Sequence, residues 1–198
     1  MLRLSARKKR SIITTAIGSV AVVALVAGIY IVSLVLAPSI APIIATKPID
    51  AAALPAPKAN ENRIVIPKIG VNIHYAPGGE SLDRGAEWRH PDRGNPIDGG
   101  NFIIAAHRLS IQPTPQGTVE KSPFYQIDKM SVNDEVVIDY NGKRYLYKIT
   151  KIFDVKPTQV EIEAPSEKPI LTIYTCSLGG ATDGRVVLLA EPLGEVAL

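Results

Sequence analysis

Ile170-Leu171-Thr172-Ile173-Tyr174-Thr175-Cys176 reads as a β-strand, because β-branched and aromatic side chains dominate it and it is too short and too apolar for a surface helix. It ends on the only cysteine of the chain, where a glycine-bearing loop, Ser177 to Gly184, begins. A strand of this kind needs partners, and similar runs recur on both sides of it. Arg63 to Ile69, Val71 to Tyr75, Phe102 to Ala106, Glu135 to Tyr140, Arg144 to Phe153 and Arg185 to Glu191 carry the same signature, with Pro, Gly and Asn between them. Asn141-Gly142 between two of these runs predicts a tight hairpin. Runs such as Phe102-Ile103-Ile104 and Val186 to Leu189 are apolar on both faces, so the strands are expected to close into a barrel or a sandwich. Helices are expected only as decoration. Ser81 to Trp88 is one candidate, and Phe124 to Met130 is another, with Ser122 as N-cap and Pro123 at the first helical position.

Upstream of the strands the composition changes. Ile12 to Ala37 contains no charged side chain, and at about 1.5 Å per residue it exceeds the roughly 30 Å of a bilayer core, which predicts a transmembrane helix over residues 12–37. The run is longer than the apolar region of a cleaved signal, which favours an uncleaved anchor, although Ala37, Ala41 and Ala45 offer small-residue cleavage positions. Arg3, Arg7, Lys8, Lys9 and Arg10 precede it without an acidic residue, so residues 1–11 are expected in the cytoplasm and the folded part outside, a single-pass topology at the cell membrane. Residues 38–62, rich in Ala and Pro, read as an extended stalk, with docking of Ile49 to Leu54 on the domain as the alternative. Residues 63–198 form the expected catalytic domain. Without the five N-terminal basic residues, 17 Lys and Arg face 19 Asp and Glu, so no basic footprint for nucleic acid exists.

The chemistry is read from residue types at strand ends. An exported domain with one cysteine has no partner for a disulfide, so Cys176 is either a small buried hydrophobe or a nucleophile. His107 also ends an apolar strand, and an imidazole beside a thiol can take its proton and later protonate a leaving amine. Arg185 follows the Cys176 loop, so a β-turn-β connection would return its guanidinium to the same place, where it can hold substrate carbonyls or an oxyanion. Arg108 competes with Arg185 for that task, while His74 and His90 read as surface residues.

Asn101-Phe102-Ile103-Ile104-Ala105-Ala106-His107-Arg108, Thr172-Ile173-Tyr174-Thr175-Cys176 and Arg185 together resemble the sortases of Gram-positive-type cell envelopes, over about Arg63 to Pro192. Ile66-Pro67-Lys68-Ile69, Gly94-Asn95, Phe124-Tyr125 and Asp134-Glu135 fall where sortases carry similar segments. The resemblance implies a closed eight-stranded β-barrel, mainly β with short helices, and a cysteine transpeptidase. In that reading Cys176 attacks the Thr-Gly bond of an LPxTG-like sorting signal, and an amine resolves the thioacyl enzyme. His107 is then the general acid and base, Arg185 steadies the substrate backbone and the oxyanion, and Thr175 helps form the oxyanion hole. The implied partners are secreted proteins bearing a C-terminal sorting signal and an amine acceptor of peptidoglycan or its precursor. Ala106 and Ile173 stand where the family often shows Gly and Leu, and neither change removes a catalytic group.

Pilus-polymerising members usually carry an Asp-Pro-aromatic lid and often a second, C-terminal membrane helix. Neither is found here, so anchoring of proteins to the wall is the expected task, with pilin polymerisation as the alternative. No cofactor is expected. A calcium site would need convergence of loop acids among Asp92, Asp98, Glu161, Glu163 and Glu167, which are more simply read as solvated. Two other classes compete: an L,D-transpeptidase, whose Ser-His-Gly-Cys type motif is absent, and an anchored β-domain that binds an envelope partner with Cys176 inert.

Overall fold

The β-runs pair into one sheet that closes on itself. The computed structural model describes residues 6–44, 49–50 and 53–196. The strands are β1 (Arg63–Ile66), β2 (Val71–Pro77), β3 (Ala86–Arg89), β4 (Gly94–Asn95), β5 (Gly99–Ala106), β6 (Glu135–Tyr140), β7 (Lys143–Val155), β8 (Ile170–Ser177) and β9 (Gly180–Glu195). Their order is β3-β2-β1-β6-β7-β9-β8-β5, and β3 pairs back onto β5, which closes eight strands into a barrel. The two-residue β4 hangs on the edge of β5 as a ninth strand. Only the β2–β3 and β5–β8 pairs are parallel.

Side chains that alternate inward fill the barrel. Ile64, Ile66, Phe102, Ile104, Ile138, Ile149, Leu171, Ile173 and Leu188 are fully buried in the main core. Tyr75, Trp88 and Phe102 meet there edge to face, with ring centroids 5.6 to 6.3 Å apart. A smaller cluster, Ile103, Ala105, Tyr174 and Val187, lies on the opposite face of β5, β8 and β9, against Phe153, Val155 and Ile162. The barrel wall is therefore apolar on both sides at these strands, and something must cover its outer face.

Asn141 and Gly142 have φ of 49° and 75°, the left-handed pair that a two-residue hairpin requires, and they join β6 to β7 as expected. The buried carboxylate of Asp139 braces this hairpin by accepting from Arg144 Nε at 2.7 Å and Nη2 at 2.9 Å.

Several expectations are corrected. The run Arg63 to Ile69 is a strand only to Ile66. Pro67 has no N–H to give a ladder, and Pro67–Ile69 turns as a 3-10 helix closed by Gly70 at φ 68°. Ser81 to Trp88 is not a helix: a 3-10 segment, Gly79–Arg84, stops at Gly85, and Ala86–Arg89 continues as β3. A Cβ on Gly85 would lie 2.3 Å from the carbonyl oxygen of His74, so the chain passes there only as glycine. The second candidate, Phe124 to Met130, contains only the 3-10 turn Ile127–Lys129. Phe124, Ile127 and Met130 are buried at a spacing of three, and Ser122 Oγ accepts from Ser110 N instead of capping a helix. A short helix that was not anticipated, α2 (Pro115–Glu120), is capped by Thr114, whose side chain accepts from Gly117 N.

The N-terminal helix α1 (Ala6–Ile44) outruns the expected span of residues 12–37. Its apolar stretch, Ile12–Ala41, covers 30 residues and is long enough to cross a membrane. The stalk therefore does not begin at Pro38. Pro42 has no N–H, so the Pro38 carbonyl lacks its helical donor, and Gln126 Nε2 supplies one at 3.1 Å. Ser39 Oγ donates to Tyr125 Oη at 3.0 Å beside it, and the Tyr30 hydroxyl donates to the Pro113 carbonyl. The last turns of the helix thus lie against the barrel. Further on, the Leu54 and Pro55 carbonyls accept from Arg144, so the end of the Ile49 to Leu54 segment docks; Ala51 and Ala52 lie outside the described residues.

Candidate active site

β5 and β8 run parallel with Ala105 opposite Tyr174. Two residues beyond these on each strand come His107 and Cys176, at the same level and, by alternation, on the same face. That face is the outer one, since Ala105 and Tyr174 belong to the outer cluster. β9 runs antiparallel on the other side of β8 and pairs Arg185 directly with Cys176. Directly opposed residues point to the same side of a sheet, so the thiol stands between an imidazole on one neighbouring strand and a guanidinium on the other. All three line one groove of about 300 Å³.

The arrangement corrects two details. The segment from Ser177 to Gly184 is mostly sheet: β8 runs to Ser177 and β9 starts at Gly180, so Arg185 sits inside a strand instead of opening it. The site also lies on the outer barrel face, not only at its rim.

Local bonds hold the strand ends that carry these groups, and the guanidinium itself. Thr175, buried, donates from Oγ1 to the Ala106 carbonyl at 2.7 Å and so ties the end of β8 to the residue before His107. Thr175 lines the groove, but its hydroxyl is committed to that tie. Arg185 Nη1 donates to the carbonyls of Ala181 at 2.8 Å and Gly184 at 2.9 Å, which holds the guanidinium in place. Cys176 is half-buried. Arg108, the competing arginine, is buried and does not line this groove; its Nη2 lies 3.2 Å from Asp128.

The connection between β7 and β8 forms the opposite wall of the groove through Pro157, Gln159, Val160 and Ile162. It is fastened by Glu163. Arg89 Nε lies 2.6 Å from one carboxylate oxygen, His90 Nε2 lies 3.0 Å from the other, and the Tyr174 hydroxyl donates to the same group. Burial alone would raise the Glu163 pKa, but the bonds from Tyr174, His90 and Arg89 prevail and hold it below the usual carboxylate value. Burial and the neighbouring carboxylate push Tyr174 well up, so it stays a donor. Asn101 Nδ2 adds bonds to the carbonyls of Ile162 at 3.1 Å and Ala164 at 2.8 Å.

His90 is thus half-buried and engaged, unlike the surface residue expected; His74 is exposed. The missed signal was chemical: His90 lies 73 residues before Glu163 with Arg89 next to it, and only the fold joins them with Glu163 and Tyr174 into one network. Of the loop acids weighed for calcium, Glu163 is taken up by these partners, and among the described residues no three His, Cys, Asp or Glu side chains converge.

The fold and site define a class: β-barrel domains that carry a thiol, an imidazole and a guanidinium side by side on one outer face. Residues 64–193 match the sortase domain model, and the chain belongs to the sortase family. It is similar to sortase SrtE1 of Streptomyces coelicolor, 26% identical over 147 residues, which are 66% of this chain and 39% of that protein. The chain thus matches about two-fifths of that relative's length. Among solved structures, the Clostridium perfringens sortase D5 transpeptidase is similar at 27% identity and a TM-score of 0.55, over 68% of this chain and 79% of that one. Listeria monocytogenes sortase A shares the fold, at 21% identity and a TM-score of 0.58, over 71% and 92% of the two chains.

Proposed function

We propose that this sortase is a membrane-anchored cysteine transpeptidase that cuts an LPxTG-like sorting signal between Thr and Gly and passes the acyl group to an amine of the cell wall. The observation that carries the reading is the placement of Cys176 between His107 and Arg185 on one face of three adjacent strands.

The thiolate of Cys176 attacks the scissile carbonyl, and His107 protonates the departing amine as the C–N bond breaks. A thioester on Sγ remains, with His107 neutral. With Nη1 of Arg185 held by two carbonyls, the other guanidinium nitrogens are the ones to meet the substrate backbone and the charge that develops on its oxygen. An acceptor amine then attacks the thioester, His107 takes its proton, and the thiolate leaves. Thr175 serves the oxyanion through its backbone, since its hydroxyl is spent on Ala106. The wall formed by Pro157 to Ile162 reads the sorting signal. An apolar helix long enough to cross a membrane, preceded by basic residues, supports an N-terminus in the cytoplasm and a barrel outside.

Intact-mass analysis of the full chain in detergent, incubated with LPxTG-type peptides, tests this. An acyl adduct is expected on wild-type protein and none on Cys176→Ala, with His107→Ala slowed by about 10² to 10⁴-fold, the usual scale for loss of a general acid and base. A folded wild-type protein that never forms the adduct across a peptide panel would refute the proposal.

A further inference from the structure

The apolar stretch of α1 is longer than a membrane requires. Its 30 residues rise about 45 Å at roughly 1.5 Å per residue, against about 30 Å for the hydrocarbon core of a bilayer. Arg10 is the last charged residue before the stretch and Lys47 the next one after it. About 20 residues cross the core, so a span that starts at Ile12 reaches the outer boundary near Ile31. Tyr30 stands at that level, where the amphipathic ring of a tyrosine suits a membrane–water interface. Its hydroxyl donates to the Pro113 carbonyl, so the barrel meets α1 where the core ends. From the next turn onward the helix has two faces. Leu34, Ala37 and Pro38 share the face of Tyr30, at spacings of three and four, and are half-buried or buried on the barrel side. Val32, Val35 and Leu36, on the other side, are 54%, 38% and 44% exposed.

A helix that packs on a domain in water carries polar residues on its free side. Here the free side is apolar and continues the surface of the span below it, where Ile29 and Ile31 are exposed as well. The barrel surface beside the Tyr30 contact has the same character. Leu109 to Val119 contains no charged residue, and its exposed members are Ile111, Pro113, Thr114 and Gln116. A single exposed isoleucine needs no explanation, but Ile111 lies two residues from the carbonyl that holds Tyr30.

We infer that the barrel is seated on the outer surface of the membrane instead of being held away from it. Val32, Val35 and Leu36 lie against outer-leaflet lipid, and the segment from Leu109 to Gln116 rests in the interfacial layer. The inference rests on the reading of α1 as a membrane span with the barrel outside. An apolar stretch longer than the core is accommodated by tilt, and tilt toward the uncovered face both sinks the stripe into lipid and brings the barrel down. Lipid is the occupant because the stripe is continuous with the span. His107 is six residues from Pro113, at most about 22 Å of extended chain, so the groove of Cys176 works close to the bilayer surface.

The test uses the full chain carrying Cys176→Ala, reconstituted in bilayers of phosphatidylglycerol and phosphatidylcholine and spin-labelled at one introduced cysteine at a time. The four sites are all exposed: Val23→Cys within the span, Leu36→Cys on the stripe, Ile111→Cys on the loop, and Ile97→Cys, as exposed as Ile111 but before the start of β5. Power saturation reads collisions with oxygen, which concentrates in lipid, and with a neutral nickel chelate, which stays in water. Labels at 23, 36 and 111 are expected to collide with oxygen and to show severalfold fewer chelate collisions than the label at 97. Chelate collisions at 111 equal to or above those at 97 overturn the inference. So does a label at 36 that meets the chelate freely, or one that is hidden from both reagents and broadened by a second label, which would put another copy of the chain on the stripe. With residue 23 in lipid, each of these results leaves the spanning helix standing, whereas residue 23 open to the chelate removes the span and this inference together.

Discussion

Cys176, His107 and Arg185 differ in how the fold holds them. Arg185 is fixed by two carbonyls of its own turn through Nη1 alone, which leaves the planar fork oriented across the pair with Cys176. A lysine carries the charge but is a point donor on a flexible stem. Arg185→Lys is therefore expected to lower kcat/KM for the sorting peptide by about 10 to 10²-fold, in keeping with loss of an oriented donor to a developing charge. Steady-state kinetics with a quenched peptide check this, and wild-type turnover in the lysine variant would remove the role of Arg185 as an oriented donor. At this scale the sequence singled out candidates at strand ends, and the fold brings Cys176, His107 and Arg185 to one groove. The sequence left Arg108 and Arg185 in competition, and only the fold separates them, placing Arg185 opposite the thiol and burying Arg108 beside Asp128.

At the scale of elements, the connection between β7 and β8 has little regular structure of its own beyond the 3-10 turn Val160–Glu163. Its position depends on Glu163 and on Asn101. The folded-state pKa of Glu163 lies below 4.5, its unperturbed value, so its contribution is complete above that pH and is lost as pH falls through the depressed value. Glu163→Gln is accordingly expected to loosen the segment at neutral pH and to match wild type in strong acid. Hydrogen exchange of residues 157–163 checks this: faster exchange in the variant at pH 7, with the difference closing below about pH 4, the range where carboxylates protonate. A variant as protected as wild type at pH 7 would show that Asn101 suffices. The KM for the sorting peptide is expected to rise in the variant as well, since this segment walls the groove.

Strands were more legible than helices at this scale, for a physical reason. Runs such as Glu135 to Tyr140 and Ile170 to Cys176 carry their β preference in every side chain, and Asn141-Gly142 carries its turn in the backbone. Ser81 to Trp88 and Phe124 to Met130 have local helical cues, but pairing of Trp88 with β5 and burial of Phe124, Ile127 and Met130 outweigh a short helix.

For the whole molecule, the apolar helix α1 and the barrel are joined by more than a tether. Gln126 satisfies the one carbonyl that Pro42 leaves open, and Ser39 and Tyr125 bond beside it. Gln126→Leu is expected to weaken this contact by about 1 kcal/mol, the net worth of one hydrogen bond whose acceptor is then met by water. Distance measurements between spin labels on α1 and on the barrel check the outcome: a broader distribution in the variant, with catalysis on a soluble peptide little changed. An unchanged distribution would mean that packing of the helix against the barrel is sufficient.

Composition and pattern alone determined that a long apolar helix precedes a β-rich domain and made Cys176, His107 and an arginine the candidates for its chemistry, because hydropathy and side-chain chemistry are local properties. They also carried the family, since its motifs are contiguous in the chain. Tertiary structure decided the rest: that eight strands close by pairing β3 with β5, that the site lies on the outer face, that Glu163 fastens the groove wall, that α1 runs past Pro38 onto the barrel, and that Arg108 is buried beside Asp128. Each of these depends on residues brought together from distant parts of the chain, and strand register, which no local pattern encodes, is what brings them together.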